Sequence, residues 1–383
     1  MINAVPYLLL VGLYGFLACV RHNSTRERTR LYVDIGCVAV FIFFFGFRGF
    51  IMYDWSVYYP MFTSLPDLHT LFTLPLNKWP WEIGFTLLAT TCHSLFPDWS
   101  FFVLICTLVN TTLLVRFLKL YGISLPLGLM IYLCMNGIMM STDLMRNSIT
   151  ILILANALPY LRERRPLPYV ALCLTSALFH NSGWAFLPLY FFLHRRINKW
   201  LLFGIFIVAC GVYAFHISIF KGLVILFSDY LGDYAKWYLN VYTKMDQQAT
   251  IISIGFLERL FTGIITFLYI DKLRSLRPDS DIFINSLYLC LYLFLFFSEF
   301  RTIGLRTSIL FSVGYWVIWI DLIRCFYYQN NRHLYIAFVA VYCLLKTYSS
   351  NTDAVNRYEN ILFGSMNYNE RLIYFRQHFN DSK

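Results

Sequence analysis

The chain has 383 residues, of which 58% are hydrophobic and 14% are charged, whereas an ordinary soluble domain carries about 25% charged residues. This composition argues against a soluble enzyme and predicts an integral membrane protein, with many of the 19% aromatic residues at membrane–water boundaries. The net charge of +10 leaves two interpretations open, nucleic-acid binding or loops anchored on the cytoplasmic side of a membrane.

Apolar segments recur along the whole chain. A transmembrane helix needs about 20 apolar residues, and twelve segments are candidates: 3–20, 31–47, 99–117, 123–141, 147–160, 167–180, 183–193, 200–219, 251–270, 282–298, 305–322 and 334–348. We therefore expect an all-α, polytopic integral membrane protein with twelve transmembrane helices in a single transmembrane domain, residues 1–383. The apolar segment Ile83–Phe96 is too short for a span, and we interpret it as re-entrant or interfacial.

Lys and Arg are distributed unequally between the loops. With the N-terminus outside, the inner loops and the start of the second span hold 17 of the 31 Lys and Arg and 7 of the 21 Asp and Glu, so the whole net charge of +10 lies on that side. The positive-inside rule favours this orientation. Three large segments, 48–82, 220–250 and 346–383, are then external, and no basic stripe remains to bind nucleic acid.

Several motifs that would indicate a soluble catalytic mechanism are missing from the sequence. It contains neither GxGxxG nor GxxxxGK[ST], so no site for ATP or a nucleotide sugar is predicted. The ten cysteines are scattered singly, mostly inside apolar runs, and no CxxC pair occurs. They are interpreted as small apolar residues, and neither a cofactor nor a metal site is expected.

Charged side chains gather at the predicted outer ends of the spans. Burying a charge in a membrane costs about 2.5–3.5 kcal/mol on insertion scales, so such residues usually have a partner or a function. Guanidinium groups match phosphate oxygens, and the candidate diphosphate ligands are Arg48, Arg146, Arg259, Arg301 and Arg306. His180 is the candidate general base, with Glu82 or Asp143 as the alternative.

Carboxylates and aromatic rings near the same boundary are typical of sugar binding. The candidate sugar contacts are Asp54, Tyr58, Tyr59, Glu258 and Glu299. Each group also has a purely structural interpretation, as local ion pairs at 143/146, 258/259 and 299/301 or as an aromatic belt at the membrane surface. Together these residues favour glycosyl transfer from a lipid diphosphate, which needs no nucleotide.

Five short motifs, in this order, resemble the EpsG/Wzy type of bacterial polysaccharide polymerases, over roughly Arg48 to Arg306. They are "FRG" with "YDWSVYYPMF", "E-x-G-F" at Glu82–Phe85, "D-x-x-R-N" at Asp143–Asn147, "ALFHNSGWAFLPLYFF" and "ERL". The family often has Gln where Asn147 stands, and more glycines after its Arg than "FRGF" supplies. The motifs carry the family's functional positions to Arg48, Asp54, Glu82, Asp143, Arg146, His180 and Glu258, without identifying the base.

The resemblance implies an O-antigen or exopolysaccharide polymerase of the bacterial inner membrane, a multi-span glycosyltransferase similar to the GT-C class. Such a protein joins oligosaccharide repeat units carried on undecaprenyl diphosphate on the periplasmic side, by an inverting, metal-independent transfer. The implied partners are the lipid-linked donor and acceptor, a chain-length regulator, the repeat-unit flippase and membrane lipid.

Two other functions are compatible with the same residues. A flippase or transporter for the lipid-linked glycan would also need Arg and aromatic side chains, but spread through the membrane depth and with internal symmetry. A membrane O-acyltransferase of surface glycan would depend on an active His such as His180. The clustering of charges at one boundary favours the polymerase, while the sugars and the linkage stay open.

Overall fold

The computed structural model describes residues 2–217 and 253–378, which are helices joined by turns, with two isolated β-bridges. The predicted all-helical fold is therefore confirmed for these residues. The segment 220–250, predicted to be an external loop, lies outside the described residues, as do the last five residues. The chain divides into two compact units, Met1–Tyr190 with Tyr328–Lys383, and Phe191–Tyr327.

The first unit holds the N-terminal helices and the C-terminal segment. Its helices are α1 (Val5–Asn23), α2 (Glu27–Gly46), α3 (Trp55–Thr63), α4 (Leu68–Leu71), α5 (Ile83–Leu95), α6 (Trp99–Leu120), α7 (Leu125–Tyr132), α8 (Ile138–Thr142), α9 (Met145–Ala155), α10 (Leu158–Arg162), α11 (Pro166–Ala177), α17 (Gln329–Ser350) and α18 (Tyr368–His378). Short 3-10 helices at Ile2–Ala4, Leu76–Lys78, Asn181–Phe191 and Ala354–Asn356 add to them.

The second unit is built from five described helices, α12 (Lys199–Ala214), α13 (Ile254–Leu276), α14 (Ser280–Phe296), α15 (Arg301–Ser308) and α16 (Val313–Cys325). Close packing is visible at Gly314, where a Cβ atom would lie 2.4 Å from the backbone nitrogen of Leu287. Only a residue without a side chain lets α14 and α16 approach this closely.

Four helical stretches are long and apolar enough to cross a membrane: Ile2–Asn23, Glu27–Gly46, Trp99–Leu120 and Leu125–Thr142. The pair Thr302–Phe311 and Val313–Cys325, bent by 58°, makes a fifth if it is one span. Shorter apolar helices, including Ile83–Leu95, add to these. The described residues thus indicate a membrane protein, and the count of twelve spans stays a prediction.

The stretch between α7 and α8 is interrupted at Leu133–Gly137. Asn136 has a φ of 70°, in the left-handed region that Asn tolerates better than most residues. A Cβ on Gly137 would lie 2.3 Å from the carbonyl oxygen of Tyr132, so glycine is required there. After this break only α8, a helix of 5 residues, precedes Asp143.

The connections that carry the sequence motifs contact one another, so they meet at one place in the first unit. The backbone N–H of Tyr53 contacts Asp143 at 3.0 Å, and that of Gly84 contacts the carbonyl of Leu178 at 2.8 Å. We call this the motif end, formed by residues 47–54, 81–84, 142–147, 178–182 and 351–361.

The C-terminal tail, residues 351–378, packs on the motif end and on α3 through backbone and side-chain groups. Gly49 N–H binds the carbonyl of Glu359 at 2.8 Å, and Met52 N–H binds that of Val355 at 3.0 Å. The ring of Tyr358 stacks on Phe44, with centroids 4.1 Å apart, and Asn3 Nδ2 donates to the carbonyl of Thr352 at 3.2 Å. The N-terminus, the "FRG" motif and the tail are therefore neighbours, although the tail lies some 300 residues or more after the other two in the sequence.

Candidate functional site

Arg146 is the centre of the motif end. It lies in the first turn of α9, and its guanidinium is held from two sides. Nη1 donates to Glu82 Oε2 at 2.7 Å, and Nε donates to the hydroxyl of Tyr58, also at 2.7 Å. The side chains of Arg146 and Glu82 are 27% and 15% exposed, so the pair is accessible from solvent. We call Tyr58, Glu82 and Arg146 the Arg146 cluster.

The side chain of Tyr58 is held in place by two aromatic neighbours as well as by Arg146. Its ring stacks on Trp81, with centroids 5.5 Å apart, and lies edge-on to Phe85. Burial raises the pKa of Tyr58 to about 12, so the side chain is a neutral phenol at physiological pH. Its oxygen accepts from Arg146, and its O–H remains a donor that can be directed elsewhere.

Glu82 precedes α5, and the start of this helix is fastened to the end of α11. Gly84 N–H donates to the carbonyl of Leu178 at 2.8 Å, and a Cβ on Gly84 would lie 3.0 Å from that oxygen. Glu82 Oε1 lies 3.4 Å from the backbone N–H of Asn181. The carboxylate therefore has one oxygen on Arg146 and the other facing the segment that carries His180.

His180 forms a short hydrogen-bonded chain with Ser182 and Asn147. Its Nδ1 lies 3.1 Å from the backbone nitrogen of Ser182 and 2.8 Å from Ser182 Oγ. Ser182 Oγ also lies 2.8 Å from Asn147 Oδ1, to which it donates. A hydroxyl has a single proton, so these contacts do not fix which nitrogen of a neutral His180 is protonated. They hold the ring in place, and its Nε2 is a donor in one tautomer and an acceptor in the other.

Arg48 and Asp143 brace the motif end through backbone groups. Arg48 is 4% exposed and donates to the carbonyls of Phe45 at 2.7 Å and Thr142 at 3.2 Å, which ties the end of α2 to the end of α8. Burial lowers the pKa of Arg48 to about 10, still well above neutral pH. Asp143 is 7% exposed, and its Oδ1 accepts the backbone N–H of Tyr53 at 3.0 Å.

The remaining sugar candidates of the first unit lie at the start of α3. Asp54 N–H also donates to Asp143 Oδ1, at 2.7 Å, and the Asp54 carbonyl accepts the N–H of Tyr58 at 2.9 Å. Tyr59 points to another side of α3 than Tyr58 and stacks on Tyr368, with centroids 4.4 Å apart and an interplanar angle of 15°.

The structure brings eight predicted residues to the motif end or to α3, which follows it directly: Arg48, Asp54, Tyr58, Tyr59, Glu82, Asp143, Arg146 and His180. The other five belong to the second unit. There Glu258, 5% exposed, lies 3.7 Å from Arg259 Nη1 and accepts from Thr262 Oγ1 at 2.8 Å, so the predicted local pair at 258/259 is present. Arg301 opens α15, Arg306 is exposed in the same helix, and Glu299 is half-buried.

Sequence reasoning missed three participants in this arrangement. Trp81 orients Tyr58, while Ser182, itself bound to Asn147, holds the ring of His180 at Nδ1. All three lie within the quoted motifs or next to them, and this proximity could have identified them as residues of the site. Their partners are 23 to 35 residues away in sequence, which spacing alone does not reveal.

One of three comparisons with known proteins identifies a family. No curated protein and no solved structure matches the chain. The model of the EpsG family, in contrast, matches residues 33–368, a range that includes the whole motif end. The chain belongs to the EpsG family, and this membership points to a membrane protein of the polysaccharide-polymerase type.

Proposed function

We propose that the protein is an O-antigen or exopolysaccharide polymerase, which joins oligosaccharide repeat units carried on undecaprenyl diphosphate. The observation that carries the proposal is the double support of Arg146. Its Nε and Nη1 are bound by Tyr58 and Glu82, while Nη2 makes no hydrogen bond among the described residues. A guanidinium oriented in this way presents its remaining N–H groups to the oxygens of a diphosphate.

The leaving group of the transfer would be undecaprenyl diphosphate. Negative charge builds up on it in the transition state, and the site must stabilise this charge to lower the activation barrier. Arg146 is fixed before substrate arrives, so it stabilises this charge without reorganising. Arg259, Arg301 and Arg306 remain candidate diphosphate ligands in the proposal. Arg48 has an indirect role and does not bind the diphosphate itself. Its two hydrogen bonds to backbone carbonyls hold the ends of α2 and α8 in place.

Glu82 is the general base of the proposed reaction. The acceptor hydroxyl would lose its proton to Glu82 Oε1 while its oxygen bonds to the anomeric carbon and the bond to the diphosphate breaks, which inverts that carbon. Glu82 is suited to this role because Arg146 holds Oε2 and, among the described residues, leaves Oε1 only a 3.4 Å contact with Asn181 N–H. His180, in the tautomer that carries its proton on Nδ1, is the other candidate base.

The proposed setting follows from the charge distribution of the loops. The motif end lies outside the inner membrane, facing the periplasm, while the basic loops face the cytoplasm. A repeat-unit flippase would deliver the substrates to this side, and a chain-length regulator would act with the polymerase. Asp54, Glu258 and Glu299 are retained as candidate sugar contacts.

The decisive experiment uses purified protein in detergent with lipid-linked repeat units extracted from cells lacking the gene. Formation of a ladder of longer glycans supports the polymerase, because no membrane is present for a flippase to cross. Absence of any product, with folded protein and both Arg146→Ala and wild type equally inactive, would refute it. Transfer of an acyl group to the glycan instead would identify the O-acyltransferase.

A further inference from the structure

A cavity of the first unit, lined in part by α3, has no role in the reaction proposed above. It is a cavity of 340 Å³ between α3, the start of α6 and the C-terminal tail. The side chains that characterise it are Tyr59, Thr63, Asp98, Trp99, Ser365 and Tyr368. Its volume is at the lower end of the about 300–1,000 Å³ of small-molecule sites, which suits a short saccharide.

Aromatic rings form one wall of this cavity. Tyr59 and Tyr368 stack at 4.4 Å, and Trp99 meets Tyr59 edge-on with centroids 5.9 Å apart. Phe50 closes the base by edge-on contacts with both tyrosines. Tyr and Trp side chains combine an apolar face with a polar group, which matches a sugar ring with its C–H face and its hydroxyls.

Polar groups with unused hydrogen-bonding capacity form the other wall. Asp98 Oδ1 caps α6 by accepting the N–H groups of Ser100 and Phe101, whereas Oδ2 accepts none from the described residues. Asn367 Oδ1 likewise accepts the N–H of Glu370, and its Nδ2 donates to none of them. One acceptor and one donor are therefore available to sugar hydroxyls at this wall.

The chemistry of the cavity distinguishes among occupants. The exposed carboxylate of Asp98 in the lining disfavours a phosphate, and the exposed Thr63, Ser365 and Asn367 disfavour an acyl chain. Arg48 borders the cavity, but its guanidinium already binds the carbonyls of Phe45 and Thr142. A neutral, hydroxyl-rich molecule with apolar faces fits these features best.

Helix α3 connects the cavity to the Arg146 cluster. Its adjacent residues Tyr58 and Tyr59 point to the cluster and to the cavity, so the two places are separated by about the thickness of a helix, 10–12 Å with side chains. A glycan whose reacting end lies at Arg146 has its other sugars at about this distance. The cavity is thus placed to hold a part of the same molecule.

We propose that the cavity is a saccharide subsite, which binds a non-reacting sugar of the repeat unit and is completed by the C-terminal tail. This inference rests on the proposed function. A sugar that does not react is bound equally in the ground state and the transition state, so the subsite lowers KM for the lipid-linked unit and leaves kcat unchanged.

The test compares two cavity variants with a control in the same tail. Tyr368→Ala removes the stacking ring, and Ser365→Trp fills the space without deleting a contact. Phe363→Ala is the control, because this ring is 82% exposed, packs on Phe43 and does not border the cavity. Both cavity variants should raise KM about three- to tenfold with kcat retained, as expected for the loss of one aromatic contact, whereas the control keeps both constants. Melting temperatures in detergent exclude misfolded variants.

A binding measurement separates failure of the subsite from failure of the proposed function. The probe is the oligosaccharide released by mild acid from the lipid-linked units, and the signal is tryptophan fluorescence. Binding by wild type that is lost in Ser365→Trp supports the subsite even if no polymer forms. Equal binding by both proteins, no binding by wild type, or unchanged KM in both cavity variants of an active enzyme would overturn it.

Discussion

Replacing Arg146 by Lys is the sharpest test of the proposed site, because it keeps the charge and removes the geometry. Arg146 makes one hydrogen bond to Tyr58 and one to Glu82, both at 2.7 Å, from two different nitrogens of a planar group. A Lys ammonium is a point charge on a flexible stem and does not present such a fork to a diphosphate. The variant therefore retains Coulomb attraction but loses at least one charge-assisted hydrogen bond to the leaving group.

The expected loss is set by that hydrogen bond. Bonds to charged groups contribute about 1.5–3 kcal/mol, which corresponds to a fall in kcat of about 10- to 150-fold. The assay is polymerisation of lipid-linked units by purified protein, with glycan ladders from complemented cells as a second readout. Arg116→Lys is the matched control, an exposed arginine in α6 of the same unit. An Arg146→Lys enzyme within twofold of wild type, at equal protein level, would refute the role given to the guanidinium.

Three further substitutions test the other assignments. Glu82→Gln should lower kcat about 100-fold or more in the same assay, because the amide cannot take the proton of the acceptor hydroxyl; a variant that keeps kcat within about threefold of wild type would show that another group is the base. Ser182→Ala keeps the backbone N–H that binds Nδ1 of His180, so activity should stay within about tenfold of wild type in the same assay. Arg48→Met should lower the melting temperature in detergent, because each of two buried carbonyls loses its donor at a cost of about 1–3 kcal/mol, while exposed Arg28→Met should not.

The sequence was most informative where a charged residue interrupts an apolar run. Arg48, Glu82, Arg146 and His180 were identified in this way, and the structure places all four at the motif end. The reason is physical, since a charge at the end of an apolar helix is costly unless it has a partner, and the partners of several such residues are one another. The helical class followed from the same apolar runs and is confirmed for the described residues.

Pairing was harder to predict than position. Spacing of three residues favoured an ion pair between Asp143 and Arg146 as one structural interpretation, but α9 begins at Met145, so Asp143 lies outside the helix. Its Oδ1 binds backbone N–H groups of residues 53 and 54, while Arg146 pairs with Glu82, 64 positions away. Local periodicity carries no information on such contacts, because they depend on how separate helices pack.

The role of the C-terminal tail was invisible for a different reason. The tail was expected only as an external segment, yet it forms one wall of the cavity and binds the "FRG" loop. These links combine backbone pairing, as in the contacts of Gly49 with Glu359 and of Met52 with Val355, with ring contacts such as the stacking of Tyr368 on Tyr59. The partners lie about 300 residues apart in the sequence, so no local spacing reveals them. Side-chain motifs therefore mark the reacting part of the site, whereas the packing of the tail on it cannot be predicted from one sequence.

Broken helices explain why the site lies at the motif end. The left-handed Asn136 interrupts the stretch before α8, and α9 restarts only at Met145, so the turn between them exposes Asp143 to backbone donors and leaves Arg146 in a first helical turn. An uninterrupted helix would bury these backbone groups in its own hydrogen bonds and would separate Arg146 from Glu82. These interruptions of the helix between α7 and α9 thus allow four chain segments to share one polar cluster. A membrane protein tolerates such breaks where the backbone N–H and C=O groups that leave the helix are paired within the protein.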